Sequence, residues 1–238
     1  MSTPQMKLLK TRLRQAFAFK FGRRASRKLT PLQAKIVDRI GPHLPRGGYF
    51  IEAGANDGIT GSNTLRLEKT HGMRGLLVDP NPLRYVELVR NRGERNRCYC
   101  AALVASDFPD DMVRMVNANL MTVAVSMDGG DVVSLDAHLA HARANMKPDE
   151  PIFEFGSVAR TVSSILDECN APETIDFFSL DVEGFELNVL RGFDFSARRI
   201  DHLVVEARNV ERVSAFLSGH GMILEEQLSS MDYWFRRR

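Results

Sequence analysis

Apolar runs of strand length alternate with helical patterns from Tyr49 onward. The run "YFIEAG" precedes the helical pattern "SNTLRLEKTHG", "RGLLVDP" precedes "PLRYVELVRNRG", and "RCYCAALVAS" forms a third apolar run. Ser62 or Asn63 suits the start of the first helix, and Gly72 and Gly93 suit the helix ends. The pattern predicts strands and helices in alternation along the chain.

The same alternation returns in the last third of the sequence, as "IDFFSLDV", "EGFELNVLRG", "IDHLVVEAR" and "VERVSAFLSGHG". Strands that are apolar at nearly every position are typical of a parallel sheet with helices on both faces. The final segment, "MILEEQLSSMDYWFRRR", predicts two extended runs that form a hairpin. We therefore expect an α/β fold with a doubly wound, mostly parallel sheet and a C-terminal antiparallel hairpin.

Two parts of the chain fall outside this alternation. Residues 1–45 predict a basic, amphipathic helical extension, in which no acidic residue precedes Asp38. This extension suits an anionic membrane surface, or packing on its own domain or on a second subunit. Residues 46–238 form the predicted main domain, in which an irregular insertion at about 107–158 is the expected lid or acceptor region.

The composition narrows the class of protein. The 238 residues are 44% hydrophobic, and their net charge of +2 is too small to favour a nucleic-acid partner. Three cysteines without metal-type spacing favour a reducing compartment. Because no apolar run reaches the roughly 20 residues of a bilayer span, we expect a cytoplasmic protein, peripheral at the inner membrane surface if the extension binds lipid.

Polar residues follow the first two predicted strands, where ligands bind in this kind of sheet. The first strand ends in a segment that lacks both the dinucleotide fingerprint and a P-loop lysine; its polar and glycine positions are Glu52, Gly54, Asn56, Asp57 and Gly58. The second ends in Asp79, where such folds place a ribose-binding carboxylate. Each feature alone is also an ordinary turn. Together they favour a nucleoside with a cationic, phosphate-free tail, which is the chemistry of S-adenosylmethionine.

Three carboxylates lie at the ends of the later strands: Asp181, Glu183 and Glu206. We expect them to converge, because carboxyl ends of parallel strands share one edge of the sheet. One of them could be the general base of a transfer to a hydroxyl group, or all three could bind Mg²⁺ or another divalent cation. Glu183 could instead serve its own helix start, with Glu186 a solvated surface charge. His138 and His141 are interpreted as exposed helix residues.

Five sequence blocks resemble the FkbM-type S-adenosylmethionine-dependent methyltransferases: "FIEAGANDGITGSNT", "VDPNP", "VARTVSSILDECN", "IDFFSLDVEGFELNVLRGF" and "HLVVEARN". The resemblance implies a class I methyltransferase (Rossmann-like) fold. It also implies O-methylation of a sugar hydroxyl in a glycan, glycolipid or glycosylated natural product. The implied cofactor contacts are Glu52, Gly54, Asn56, Asp57, Gly58, Ser62, Asn63, Asp79, Pro80, Asn81 and, facing the reacting end, Asp181.

A second class of function fits the same sequence. A non-catalytic binding or scaffold protein could keep a methyltransferase-like fold and use its basic extension to bind membrane or nucleic acid. The intact acidic and glycine positions favour the enzyme over this alternative.

Overall fold

A computed structural model of the chain describes residues 29–132 and 134–238. The predicted basic arm, residues 1–28, lies outside the described residues. The described remainder of the extension begins with helix α1, Pro31–Lys35, where Thr30 and Gln33 form a capping box. A π-helix, Ile36–Ile40, and a 3₁₀ turn, Gly41–His43, continue from it. Within the described ranges, no helix is long and apolar enough to cross a membrane.

Eleven strands, six further α-helices and a 3₁₀ turn, Asn119–Met121, follow in these residues. The strands are β1 Tyr49–Ala53, β2 Arg74–Asp79, β3 Arg97–Cys100, β4 Ala102–Leu103, β5 Met112–Asn117, β6 Val123–Ala124, β7 Phe153–Arg160, β8 Thr174–Leu180, β9 Arg199–Glu206, β10 Met222–Gln227 and β11 Asp232–Arg237. The helices are α2 Leu65–His71, α3 Pro82–Arg92, α4 Leu135–Asn145, α5 Val162–Glu168, α6 Glu186–Arg191 and α7 Val210–Gly219.

Seven strands form the main sheet in the order β10-β11-β9-β8-β1-β2-β3. The five strands from β9 to β3 are parallel, and β11 pairs antiparallel with both β9 and β10. This arrangement confirms the doubly wound sheet and the C-terminal hairpin. The order reverses between β1 and β8, so the carboxyl ends of β1, β2, β8 and β9 border the crevice where ligands bind in such sheets.

Adjacent residues of the central strands bury their side chains on opposite faces of the main sheet. Ile51 and Phe178 belong to one buried cluster, while their neighbours Phe50 and Phe177 belong to the other. Helices therefore cover both faces, as the continuous apolar runs predict.

The predicted irregular insertion contains most of a second, four-stranded sheet, in the order β4-β7-β5-β6. Helix α4 lies between β6 and β7 along the chain. The prediction of irregular structure is wrong because β4 and β6 have two residues each and β7 buries only one of its eight residues, so their apolar signal is weak. The third apolar run is also divided: β3 pairs with β2 in the main sheet, and β4 pairs with β7 in the second. We call β4 to β7 with α4 the second sheet unit.

A buried arginine joins β1, α2 and α3. Arg92, only 3% exposed, donates from Nε to Glu68 Oε2 at 2.7 Å and from Nη1 to the Gly58 carbonyl at 2.9 Å. It also donates to Ser62 Oγ and Thr64 Oγ1, each at 3.1 Å. These hydroxyls in turn donate to a carboxylate of β1, described below. These hydrogen bonds from Arg92 hold the loop between β1 and α2 in place.

Replacing Arg92 with Met should lower the free energy of unfolding by about 3 to 5 kcal/mol, because it leaves the buried Glu52 carboxylate and the partly buried Glu68 carboxylate without their cation. Arg95 is the matched control, since it approaches the same carboxylate at 4.0 Å from a side chain that is 57% exposed. Arg95→Met should cost at most about 1 kcal/mol. Urea unfolding of both variants measures the difference, and equal losses would contradict this role of Arg92.

Candidate functional site

The loop after β1 is built around the carboxylate of Glu52, which is 3% exposed. Oε1 accepts from the Asn63 and Thr64 N–H groups at 2.7 and 3.4 Å, and Oε2 accepts from Ser62 Oγ at 2.9 Å and Thr64 Oγ1 at 2.7 Å. A carboxylate has about four acceptor positions, so this one is filled by the loop itself. Glu52 therefore organises the loop, and its predicted direct contact with the cofactor would need one of these bonds to open.

The sequence places the start of α2 too early. The helix begins at Leu65 rather than beside Ser62 or Asn63, and Ser62 Oγ accepts from the Leu65 N–H at 3.1 Å. Asn63 instead turns towards β8, where its Nδ2 donates to Ser179 Oγ at 3.0 Å. Both residues thus support the loop through protein contacts; that they also contact the cofactor, as the family resemblance implies, stays a prediction.

Both predicted loop glycines have left-handed backbone conformations, and each is crowded by protein. A Cβ atom on Gly54, at φ +80°, would lie 1.8 Å from the Asp181 carbonyl oxygen. One on Gly58, at φ +75°, would lie 2.7 Å from side-chain atoms of Leu88 and Arg92. Asp57 closes the turn that contains Gly58 by accepting from the Ile59 and Thr60 N–H groups at 2.8 and 2.6 Å. These residues bring the loop against β8 and α3.

Asp79 lies at the end of β2 with half of its acceptor capacity unused. Its Oδ2 accepts from the Asn56 N–H at 2.7 Å, and its Oδ1 accepts from the Asn81 N–H at 2.9 Å. Burial raises the pKa of this carboxyl to about 6, against the lowering effect of those two N–H donors. Each oxygen keeps one lone pair, so the carboxylate can accept two hydroxyl groups at once. Pro80 and Asn81 follow it directly, and Asn81 caps α3.

Two amide oxygens of the same loop are buried without a hydrogen-bond partner in the described part of the chain: Asn56 Oδ1 and Asn63 Oδ1. A buried acceptor left unpaired is costly. Since both belong to the loop between β1 and α2, a ligand with N–H or O–H donors could satisfy them. A nucleoside with an amino-acid tail carries donors of both kinds.

The three predicted carboxylates of the later strands converge. One oxygen each from Asp181, Glu183 and Glu206 lies within 4.8 Å of the others, and we call these residues the acid cluster. The pKa of Asp181 is raised well above its usual range, first by lost solvation and then by the charge of Glu206 and a carboxyl–carboxyl hydrogen bond with it. Because the Asp181 side chain is exposed, the nearby Glu206 carboxylate raises this pKa more than the loss of solvation does. Asp181 and Glu206 thus form a close pair of carboxyl groups.

Glu183 differs from that pair because it has a cationic partner. It adopts a left-handed backbone conformation at φ +58°, and Arg208 Nη2 donates to its Oε2 at 3.0 Å. Burial and the Glu206 charge raise the pKa of Glu183 to about 7, while Arg208 opposes the rise. The alternative in which Glu183 serves its own helix start is wrong, since α6 begins only at Glu186.

Glu186, rather than Glu183, stabilises the turn that follows β8. Predicted as a solvated surface charge, it is 3% exposed, and its Oε1 accepts from the Val182 and Gly184 N–H groups at 3.1 and 3.0 Å. Burial raises its pKa to about 7. The prediction fails because the turn after Asp181 folds back over the first residue of α6, which the sequence pattern does not reveal.

His138 is the functional candidate that the sequence misplaced. It is buried rather than exposed, and its Nε2 lies 2.8 Å from the Met121 carbonyl oxygen. Its Nδ1 lies 3.5 Å from Arg208 Nη2, next to the acid cluster. His141, one turn further along α4, is exposed as predicted. His202 lies within β9 and accepts a hydrogen bond from Trp234 Nε1 at 3.2 Å.

Comparison with known proteins identifies the family of the chain. The sequence profile of the methyltransferase FkbM domain matches residues 52–236. No curated protein is significantly similar in sequence to the chain. Distant likenesses in structure include TrmK of M. capricolum bound to S-adenosylhomocysteine, with 8% identity, a TM-score of 0.42 and 87% and 67% of the two chains covered. A TehB-like S-adenosylmethionine-dependent methyltransferase from Corynebacterium glutamicum shows 13% identity and a TM-score of 0.39, with 99% and 100% covered. The profile match spans most of the chain and contains Glu52, Asp79, Asp181 and Glu206, so the protein belongs to the FkbM methyltransferase family and is an S-adenosylmethionine-dependent methyltransferase.

Proposed function

We propose that the protein transfers a methyl group from S-adenosylmethionine to a sugar hydroxyl of a glycan, glycolipid or glycosylated natural product. The observation that carries this proposal is the convergence of Asp181 and Glu206 at the ends of β8 and β9, with one carboxyl oxygen of each within 4.8 Å of the other. A hydroxyl is a weak nucleophile at neutral pH and needs a base. Carboxylates and Arg208 around the same point also provide hydrogen-bond partners for neighbouring hydroxyls of a sugar ring.

The cofactor would be held mainly by the ends of β1 and β2. Asp79 would accept from the ribose hydroxyls, and the unpaired oxygens of Asn56 and Asn63 would accept from N–H donors of the ligand. S-adenosylmethionine supplies a methyl group on a positively charged sulfur, which keeps the electron pair of the broken carbon–sulfur bond. The close approach of Gly54 to the Asp181 backbone sets the distance between the cofactor loop and the acid cluster.

The Asp181 and Glu206 pair would take the proton of the attacking hydroxyl as the new carbon–oxygen bond forms. Two close ionised carboxylates repel each other, so the first proton that the pair takes is bound more tightly than by an isolated carboxylate. This raised basicity suits proton transfer near neutral pH. The second sheet unit covers this region: the Asp131 N–H donates to the Gly184 carbonyl at 2.8 Å. We assign the acceptor side of the site to this unit.

A divalent cation is the alternative use of the same carboxylates. Oxygen atoms of Asp181, Glu183 and Glu206 within 4.8 Å of one another could bind Mg²⁺ and place the acceptor oxygen on it. The ion pair between Arg208 and Glu183 favours the base, because a cation is already present at one of the three ligands.

Asp79→Asn should weaken binding of S-adenosylhomocysteine about 10- to 150-fold, since a charged hydrogen bond contributes about 1.5 to 3 kcal/mol. Isothermal titration calorimetry measures this change, with Glu87→Gln on the exposed face of α3 as the control. Unchanged affinity in a folded Asp79→Asn protein would remove Asp79 from the site.

The same contact predicts a pH dependence. Since the pKa of Asp79 is about 6, this carboxyl is mostly protonated in the free protein below that pH. The ribose hydroxyls donate to the ionised carboxylate, so binding favours the ionised form. Affinity should therefore fall as the pH decreases, by up to about tenfold between pH 7 and pH 5. A wild-type affinity that is flat across this range, or the same slope in Asp79→Asn, would contradict the assignment.

Asp181→Asn and Glu206→Gln should each lower turnover by roughly 10² to 10⁴ while affinity for S-adenosylhomocysteine changes little. Turnover is measured on methyl glycosides of common hexoses and deoxyhexoses, with mass detection of the added methyl group. Glu211→Gln, an exposed charge on α7, is the control. EDTA should have no effect; inactivation by EDTA with recovery in Mg²⁺ would favour the metal, and full activity in both variants would exclude the pair.

A further inference from the structure

His138 connects the second sheet unit to the acid cluster. Its helix, α4, is part of that unit, and its Nε2 contacts the Met121 carbonyl oxygen at 2.8 Å. Its Nδ1 faces Arg208 Nη2 at 3.5 Å, the long limit of a hydrogen bond. A guanidinium can only donate, so Nδ1 must accept and Nε2 must carry the proton that is donated to Met121. The two contacts therefore fix one neutral tautomer of the ring.

Arg208 has its other contact within the acid cluster, and that contact is selective. Its Nη2 donates to Glu183 Oε2 at 3.0 Å. Among the hydrogen bonds of the residues that the structure describes, none joins Arg208 to Asp181 or Glu206. Arg208 follows the end of β9 by two residues and pairs with Glu183, one of three carboxylates whose oxygens lie within 4.8 Å of one another.

The identity of the paired carboxylate matters for the chemistry. A guanidinium held against a carboxylate stabilises its ionised form and makes it a weaker base. If Arg208 turned towards Asp181 or Glu206, the paired oxygen would lose basicity, and Glu183 would be left buried beside two like charges. A neutral imidazole that accepts from Nη2 limits this rotation.

We propose that Arg208, seated by His138, is a positioning residue that pairs with Glu183 and so leaves the Asp181 and Glu206 pair to take the proton of the acceptor. This inference rests on the proposed function. It makes the second sheet unit part of the catalytic apparatus, because α4 supplies the residue that orients Arg208.

Two isosteric substitutions separate the two contacts of His138. His138→Asn retains an oxygen near the position of Nδ1, where it can accept from Arg208. His138→Gln places its amide nitrogen near the position of Nε2, where it can donate to Met121, but it leaves Arg208 without an acceptor. His141→Gln on the exposed face of the same helix is the control.

Turnover on the methyl glycosides should remain within about threefold of wild type in His138→Asn. It should fall about 10- to 100-fold in His138→Gln, because a small displacement of a catalytic group has effects of this size. The KM for the glycoside and the affinity for S-adenosylhomocysteine should stay unchanged in both. The reverse order, with His138→Asn impaired and His138→Gln active, would show that His138 only anchors Met121 and would overturn the proposal, as would equal turnover in all variants.

A second readout does not require turnover. ¹⁵N relaxation of the Arg208 Nε–H group should show a rigid side chain in wild type and His138→Asn, and a mobile one in His138→Gln. A mobile Arg208 in wild type would overturn the seating by His138. If no glycoside is methylated by wild type, the proposed sugar chemistry fails, and the relaxation pattern still decides whether His138 seats Arg208.

Discussion

The buried contact between Arg92 and the loop carboxylate Glu52 is the interaction on which the site depends. Two hydroxyl groups connect them: Ser62 Oγ and Thr64 Oγ1 each accept from Arg92 and donate to Glu52. Burying both charges is expensive, and it becomes tolerable only when every donor and acceptor is satisfied. These contacts hold the loop in one conformation. In that conformation Gly54 lies against the backbone of Asp181 after β8, and the Asn56 N–H donates to Asp79 at the end of β2. The cofactor side and the acid cluster are thereby held in fixed relation.

Acidic residues at the strand ends have similar sequence contexts and different functions. Glu52 and Glu186 accept from the loops beside them and have a structural role. Asp79 uses half of its acceptor capacity on the protein and keeps the rest for a ligand. The nearby Glu206 carboxylate helps to raise the pKa of Asp181, which suits Asp181 to act as a base. The number of N–H and O–H donors that the protein directs at each carboxylate decides its role.

The sequence predicts the main sheet well, because continuous apolar runs and helix-ending glycines are local signals. The convergence of Asp181, Glu183 and Glu206 is also confirmed, since strand ends share an edge in a parallel sheet. Arg92 and His138 could not be found in this way. Each is buried through partners that lie more than ten residues away in the chain, and a basic residue in a helical pattern is normally exposed. The second sheet was missed because its strands have only a few buried positions each.

The central claim is that the ends of β1 and β2 hold the nucleoside while the ends of β8 and β9 perform the transfer. A crystal structure of the full chain with S-adenosylhomocysteine tests it most directly. We predict a ribose whose hydroxyl oxygens lie about 2.5 to 3.0 Å from the Asp79 carboxylate, and a sulfur atom that faces Asp181 and Glu206. A nucleoside bound elsewhere, or a sulfur atom turned away from that pair, would contradict the account.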